Sequence, residues 1–213
     1  MRLNTQVVIL VVATLMHPLA WSADTYGSEP ALTGEVKNLA DWVIHEKNHQ
    51  SLPFIVIDKK AAAVFVFTPE GKLIGSTPGL LGITVGDDTA PGIGQKKLSE
   101  ILVHERTTPA GRFQADLGYD LNKTEMLWID YDSGVSMHVV VTGNAKERRL
   151  QRLLSHDSSQ RRITYGCINV SRQFYKAVIQ PTFKKSSGIV YILPEVHSIQ
   201  KVFGHEAARF TQR

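Results

Sequence analysis

The chain has 213 residues, of which 43% are hydrophobic and 21% charged, with a formal net charge of +4 and a pI of about 9.2. Such a length suits one domain with a short appendage, and the composition is that of an ordinary folded globular protein. The positive excess is mild, and no zinc-finger spacing, RNP-like motif or basic heptad accompanies it, so a nucleic-acid partner is not expected.

The first residues have the layout of a secretory signal peptide. Arg2 precedes an apolar run at residues 7–16, and small residues stand one and three positions before the bond that follows Ser22. The run is shorter than the ~20 apolar residues needed to span a bilayer, so no stable membrane span is expected. We therefore predict a signal peptide over residues 1–22, cleaved after Ser22 or after Ala23, and a periplasmic location. The alternative is an uncleaved anchor.

The next segment, residues 23–52, is predicted to be helical. Apolar residues recur at helical spacing within residues 31–49. From Pro53 onward the period becomes that of strands. Two runs rich in Val, Ile and Phe form "FIVIDKKAAAVFVF", and a turn at 69–71 leads to a third strand.

The middle of the chain alternates between loops and strands. Residues 86–97 are rich in Gly and charge and indicate an exposed loop, while residues 99–105 have the composition of another strand. "MLWIDYD" (126–132) and "SGVSMHVVV" (133–141) are predicted to pair through a tight turn.

The last third returns to helical spacing. Residues 144–156 and 171–183 are predicted helices, the first with a strongly basic face, and 188–195 is a predicted final strand. The tail at 196–213 is mixed and polar. Sequentially adjacent strands predict a mainly β, largely antiparallel domain with a few helices, at residues 53–195.

Cys167, in "TYGCINV", is the only cysteine, so no disulfide can form within the chain. A free thiol in an oxidising compartment is either buried and inert or retained for its chemistry. An ordinary thiol, with a pKa of about 8.5, is mostly protonated at neutral pH, and a nearby imidazole can lower that pKa. Gly166 permits a tight turn whose amides can converge on one oxygen.

The base for such a thiol must be one of the histidines. His138 lies among apolar residues of a predicted strand, where a polar ring needs a partner. We rank His138 first, His156 in its basic, solvated stretch second, and His104 third. The histidines are scattered, without metal-ligand spacing, so no metal site is predicted.

The stretch around Cys167 resembles the cysteine motif of the L,D-transpeptidases, the YkuD-like family. That motif is an upstream His followed, after a gap, by Ser/Thr-His-Gly-Cys-hydrophobic-Asn/Arg. The matching positions here are His138, Thr164, Gly166, Cys167, Ile168 and Asn169. "VIDKKAAAVFVF", "GSTPGLLG", "TPAGRF" and "GIVYILPE" also resemble the family. Two features depart from the pattern: Tyr165 stands where the family has His, and a basic insertion (144–162) lengthens the gap.

This resemblance implies a β-sandwich or barrel-like domain that acts on peptidoglycan stem peptides without a cofactor. Cys167 would attack the carbonyl of an L-residue that precedes a D-residue, and His138 would carry the proton. Backbone amides at Tyr165, Gly166 and Cys167 would hold the oxyanion. The resulting thioester would pass to an amine, giving a cross-link. The alternatives are an L,D-carboxypeptidase of the same fold and a degenerate peptidoglycan-binding module, which the Tyr165 exchange favours.

Four further features have a functional and a structural interpretation. Thr164 either contacts substrate or fixes the turn, and Asn169 is expected mainly to clasp the loop. Arg112, in "TPAGRF", either pairs with a stem-peptide carboxylate or is a surface residue. The basic residues of the insertion either steer the protein to the anionic wall or solvate a lid helix.

Overall fold

The computed structural model describes residues 29–211, so the predicted signal peptide lies outside the described residues. The strands are β1 Phe54–Asp58, β2 Ala63–Phe67, β3 Leu73–Pro78, β4 Leu81–Gly82, β5 Gly111–Tyr119, β6 Glu125–Asp130, β7 Val135–Val139, β8 Arg162–Thr164, β9 Ile168–Val170 and β10 Gly188–Ile192. The α-helices are α1 Gly34–His45, α2 Arg149–Leu153, α3 Arg172–Phe174, α4 Gln180–Phe183, α5 Ile199–Phe203 and α6 His205–Thr211. A π-helical turn, Tyr175–Ile179, joins α3 to α4.

Eight of the strands form one sheet, in the order β3-β2-β1-β10-β5-β6-β7-β9, and β4 pairs with β8 in a second, two-stranded sheet. Within the large sheet the neighbours are antiparallel, except that β1 runs parallel to β10 and β7 parallel to β9. The prediction of a mainly β domain with a few helices is confirmed. Within residues 29–211, no helix combines the length and hydropathy needed to cross a bilayer.

One face of the large sheet packs into the main core. Because side chains alternate along a strand, every second residue of β1, β2, β6, β7 and β10 enters this core, with Ile55, Val64, Leu127, Met137 and Val190 as examples. The helical segment after β9 covers the same core with Tyr175, Ile179 and Phe183.

The opposite face carries a second core beneath α1 and α6. Phe54, Phe65 and Tyr191 of the central strands are fully or almost fully buried there against Leu39 of α1 and Ala207 of α6. The tail that was expected to be mixed and polar thus contributes two helices. The buried strand residues beneath these helices belong to β1, β2 and β10.

Two expected elements differ in the structure. The predicted strand at 99–105 consists of 3₁₀ turns, Leu98–Glu100 and Val103–Glu105, and the Glu105 carboxylate accepts the Leu102 N–H at 2.9 Å. Only Ile101 of its apolar residues is buried. The predicted helix at 144–156 is interrupted at Arg148, whose left-handed backbone (φ +50°) separates a 3₁₀ turn from α2.

A buried ion pair anchors the loop after β4. Lys59 Nζ lies 2.6 Å from Asp87 Oδ1 and also donates to Thr108 O at 2.9 Å. The Asp87 carboxylate accepts three backbone N–H groups from residues 195–197. Burial alone would raise the pKa of Asp87, but Lys59 and these amides outweigh it and lower the pKa to about 2. The segment expected to be an exposed loop therefore begins with a buried carboxylate.

Replacing Asp87 tests this anchor. Asp87→Ala would remove the nearer of the two carboxylates at the buried Lys59 ammonium and leave only Glu195, at 3.5 Å, so we expect a loss of about 3–5 kcal/mol in the free energy of unfolding, measured in urea. The control is Asp88→Ala, since that side chain is 80% exposed, and it should change stability by at most about 0.5 kcal/mol. Equal effects of the two changes would contradict the assignment.

The Asp87 carboxylate also makes the stability of the folded chain depend on pH. Its pKa is lower in the folded chain, so its stabilisation is complete above the unfolded value of 3.8 and is lost as the pH falls toward about 2.

Candidate active site

The parallel pairing of β7 with β9 brings the predicted nucleophile and base together. His138 lies opposite Asn169 and Met137 opposite Ile168, which places Cys167 beside Ser136. Met137 points into the main core, so the alternation of side chains turns Ser136 and His138 to the other face of the sheet. Of the three candidate bases, His138 is the one beside the thiol, and His104 and His156 are exposed elsewhere.

The Cys167 thiol is half-buried and surrounded by hydrogen-bonding groups. Its Sγ lies 3.5 Å from Gly134 O and 3.6 Å from Ser136 Oγ, and the His138 side chain is close enough to shift the pKa of the thiol. The His138 Nδ1 lies 2.9 Å from Val139 O. A carbonyl can only accept, so Nδ1 carries a proton, and Nε2 is the nitrogen left to take the proton of the thiol.

The two groups shift each other's protonation. Burial is the largest single effect on Cys167 and would raise its pKa, but the hydrogen bond and charge of His138, with the bonds from Ser136, together lower the pKa of this thiol. Burial would likewise lower the pKa of His138, yet the bond and charge of Cys167 and the bond to Val139 raise it. Each shift favours the charged form of its own group relative to an isolated side chain, and the thiolate is the form of cysteine that attacks carbonyl carbon.

The loop before Cys167 is fixed by two threonines. Thr164 Oγ1 donates to Cys167 O at 2.7 Å and accepts the Gly166 N–H at 3.2 Å, while Thr108 Oγ1 donates to Gly166 O at 2.8 Å. Gly166 has a φ of +134°, and a Cβ there would lie 2.9 Å from Thr107 O. The Thr164 hydroxyl therefore bonds within the turn, and residue 166 has to be glycine.

These bonds narrow the candidates for an oxyanion site. The Gly166 N–H, one of the three expected donors, is engaged by Thr164. The amides of Tyr165 and Cys167 are the other two expected donors, and their role as an oxyanion site stays a prediction.

Tyr165 joins the cysteine loop to the loop before β5. The Arg106 guanidinium lies 4.0 Å above the centre of its ring and donates to Ile101 O through Nε and Nη2. Such a cation–π contact stabilises by about 0.5–2 kcal/mol. The residue that departs from the family motif thus packs against a neighbouring loop.

Asn169 and Arg149 form a second layer behind His138. Asn169 is 1% exposed, its Nδ2 lies 3.0 Å from His138 Nε2, and its Oδ1 accepts from Arg149 Nη1 at 3.0 Å. Arg149 comes from the basic insertion, so this insertion reaches the site.

Most other arginines of the insertion also bind within the protein. Arg152 donates to the carbonyls of Glu147 and Gln160, Arg161 to the carbonyl of Ala61, and Arg162 to the Glu195 carboxylate. These contacts show a structural role for the expected steering group.

Arg112 donates hydrogen bonds to Asn48 and not to Cys167. Its Nε and Nη2 donate to the side chain and carbonyl of Asn48, at 2.8 and 2.9 Å, and Tyr191 donates to the same Asn48 side chain. It ties β5 to the segment after α1.

Ser136 is a neighbour of the thiol that was not predicted from the sequence. Its position two residues before His138 on one strand is a signal that the two side chains share a face.

A row of neighbouring side chains crosses the sheet from β5 to the thiol. Asp116 pairs with Trp128, and Trp128 with Ser136, so these side chains form a row on one face that ends at Cys167. A cavity of about 260 Å³ opens beside this row. It is lined by Gln114, Asp116, Leu117, Trp128, Ile129 and Tyr131. The rings of Trp128 and Tyr131 meet edge to face, 5.1 Å apart.

No family model and no curated protein matches the chain. Among solved structures, it is similar to a fused Zn-dependent amidase/peptidase/peptidoglycan-binding domain-containing protein of Clostridium acetobutylicum (19% identity, 78% of this chain and 65% of that one, TM-score 0.41). It is also similar to the catalytic domain of the E. faecium L,D-transpeptidase (17%, 66% and 95%, 0.37). A third is the helical cell shape determining protein of Campylobacter jejuni (10%, 85% and 62%, 0.44).

Several of the similar structures are L,D-transpeptidases, the family that the motif around Cys167 resembles. The chain spans about half to two thirds of the length of the first three structures that it matches. At these identities and TM-scores the likeness carries no conclusion about activity.

The pH dependence of alkylation tests the Cys167–His138 pair. Because the pKa of the thiol is lowered, the midpoint of the reaction with iodoacetamide should lie below that of an ordinary thiol. His138→Ala removes the largest of the effects that lower this pKa and leaves burial, so the midpoint should rise. Intact mass against time gives the rate, since Cys167 is the only cysteine. A midpoint unchanged in His138→Ala, or moved equally by His156→Ala, would refute the pairing.

Proposed function

We propose that the protein is a peptidoglycan L,D-transpeptidase that uses Cys167 as its nucleophile. The observation that best supports this is the half-buried thiol that contacts Ser136 and Gly134 and lies beside His138. A lowered thiol pKa, an oriented imidazole and nearby backbone amides are the parts that acyl transfer through a thioester requires.

The reaction proceeds through two acyl transfers. Cys167 Sγ attacks the carbonyl carbon of the L-residue, its proton passes to His138 Nε2, and the C–N bond to the D-residue breaks as that proton reaches the departing amine. The acceptor amine then attacks the thioester, gives a proton to His138 and releases the thiol. Water in place of the amine yields carboxypeptidase activity, the second outcome of the same site.

Tyr165 does not weaken this proposal. Its ring packs beneath Arg106, whereas the thiol is served by His138 and Ser136. The chemistry therefore does not depend on a second histidine at residue 165, and a non-catalytic binding module is disfavoured.

The cavity lined by residues of β5 and β6 would hold part of the substrate. Trp128 and Tyr131 offer apolar surface, and Gln114 and Asp116 offer hydrogen-bonding groups, which is the mixture typical of small-molecule sites. Peptidoglycan lies outside the cytoplasm, which agrees with the predicted signal peptide and a periplasmic location.

The direct test is turnover of tetrapeptide-bearing muropeptides, with and without an amine acceptor, with products identified by mass. Cross-linked product with the acceptor supports transpeptidation, and tripeptide alone supports the hydrolase. Cys167→Ala should abolish both products, and His138→Ala should lower the rate by about 10²–10⁴-fold. His156→Ala is the matched control and should keep the parent rate. Full activity of Cys167→Ala would exclude the thiol as nucleophile.

Substrate binding in the cavity beside Trp128 can be tested separately. Trp128→Ala should raise KM about tenfold, equivalent to ~1.4 kcal/mol of lost binding, with a smaller change in kcat, because the ring is one strand removed from the thiol. Tyr119→Ala, an exposed aromatic outside the cavity lining, should leave KM unchanged. A KM unaffected by Trp128→Ala would place the substrate elsewhere.

A further inference from the structure

The imidazole of His138 lies within a chain of three hydrogen bonds that runs from Arg149 to the Val139 carbonyl. Arg149 Nη1 donates to Asn169 Oδ1 at 3.0 Å, Asn169 Nδ2 donates to His138 Nε2 at 3.0 Å, and His138 Nδ1 donates to Val139 O at 2.9 Å. Asn169 is fully enclosed and Arg149 nearly so, with 13% of its side chain exposed. These bonds are therefore shielded from competition with water.

Only one orientation of the Asn169 amide satisfies this chain. A guanidinium carries donors alone, so the amide oxygen has to face Arg149 and the amide NH₂ has to face His138. The reverse orientation would oppose donors to donors in a buried place, which costs about 1–3 kcal/mol for each unsatisfied group. Arg149 thus determines which way the amide points.

The amide in turn acts on His138. An NH₂ group facing Nε2 needs a lone pair there, so it favours the neutral imidazole with its proton on Nδ1. Once Nε2 has taken the proton of Cys167, its N–H faces the amide N–H, and that contact becomes unfavourable. Three charged or titratable groups bear on this balance: the Cys167 thiolate favours the proton on Nε2, the Arg149 charge opposes it, and Glu147 partly offsets Arg149.

We propose that Arg149 is a positioning residue which, through Asn169, reinforces the His138 tautomer set by Val139 O and weakens the hold of Nε2 on the proton received from Cys167. A weakly held proton is more readily given to the departing amine. The proton moves from Sγ to Nε2 and then to the amine nitrogen. This kinetic consequence rests on the proposed function, whereas the tautomer and its titration do not.

The test is an NMR titration of the full chain with ¹⁵N-labelled imidazole rings, in which His138→Gln identifies the signal. The parent should show neutral His138 protonated on Nδ1. Arg149→Met keeps the stem of the side chain but removes its donors, so the amide can turn its oxygen toward Nε2–H. The titration midpoint of His138 should then rise by about one pH unit, and kcat should fall while KM stays the same.

Arg148→Met is the matched control. It removes the same charge from the neighbouring position, where the side chain is exposed and bonded to Gln151, and it should leave the titration at the parent value. A midpoint in Arg149→Met equal to that of the parent, at an unchanged melting temperature, would overturn the proposal.

A double-variant comparison separates positioning from simple charge. In the Asn169→Ala background, Arg149→Met should shift the His138 midpoint by much less than in the parent, and an equal shift would refute the role of Asn169. If Arg149→Met does not fold, Arg149→Gln replaces it, because glutamine retains an N–H donor for Asn169 Oδ1. His138 in Arg149→Gln should keep the Nδ1–H tautomer. Loss of that tautomer would count against the proposal. These readings need no turnover, so they hold whether or not muropeptides react.

Discussion

The register between β7 and β9 is the constraint from which the rest of the site follows. It sets His138 opposite Asn169 and leaves Cys167 at the level of Ser136. A slip of one residue would turn His138 into the main core and Met137 toward the thiol, because successive side chains alternate between the faces of a sheet. The burial of Met137 and Ile168 in that core opposes such a slip, so hydrophobic packing holds the catalytic geometry in place.

Around this register, short side chains fix the backbone where no regular structure does. Thr164 and Thr108 hold the turn at Gly166 from two sides, and Thr108 is itself bonded to the Gly82 N–H. Thr108 also offers its carbonyl to Lys59, so the cysteine loop is linked through one residue to the buried ion pair. Thr108 thus connects the ion pair that stabilises the fold with the turn that positions Cys167.

Sequence patterns predicted the elements whose signals are local. The apolar runs of β1 and β2, the β6–β7 hairpin and the pairing of Cys167 with His138 all follow from period, turn chemistry or motif, and the structure agrees. The strand predicted at 99–105 was wrong: the apolar residues of this segment suggest a strand, but only Ile101 among them is buried. Local composition cannot tell which side chains the rest of the fold will cover.

The contacts behind the catalytic pair could not be predicted from such local patterns. Arg149 was grouped with solvated basic residues, yet it binds a buried amide contributed by β9. Asp87 lies in a Gly-rich, charged stretch typical of exposed loops, yet its partners are Lys59 and the backbone after β10. Both interactions join residues far apart in the chain, and they exist only once the sheet has assembled.

The buried Lys59–Asp87 pair fastens the loop after β4 to the chain beyond β10 without sulfur. A disulfide in that position would place two more sulfur atoms in the chain, and thiolates exchange readily with disulfides. With an electrostatic fastening, the Cys167 thiolate has no internal disulfide to attack, and the folded chain is indifferent to thiol reductants. Oxidants, in contrast, have a single thiol to act on, and oxidation of Cys167 alone would stop the proposed chemistry without breaking any cross-link of the fold.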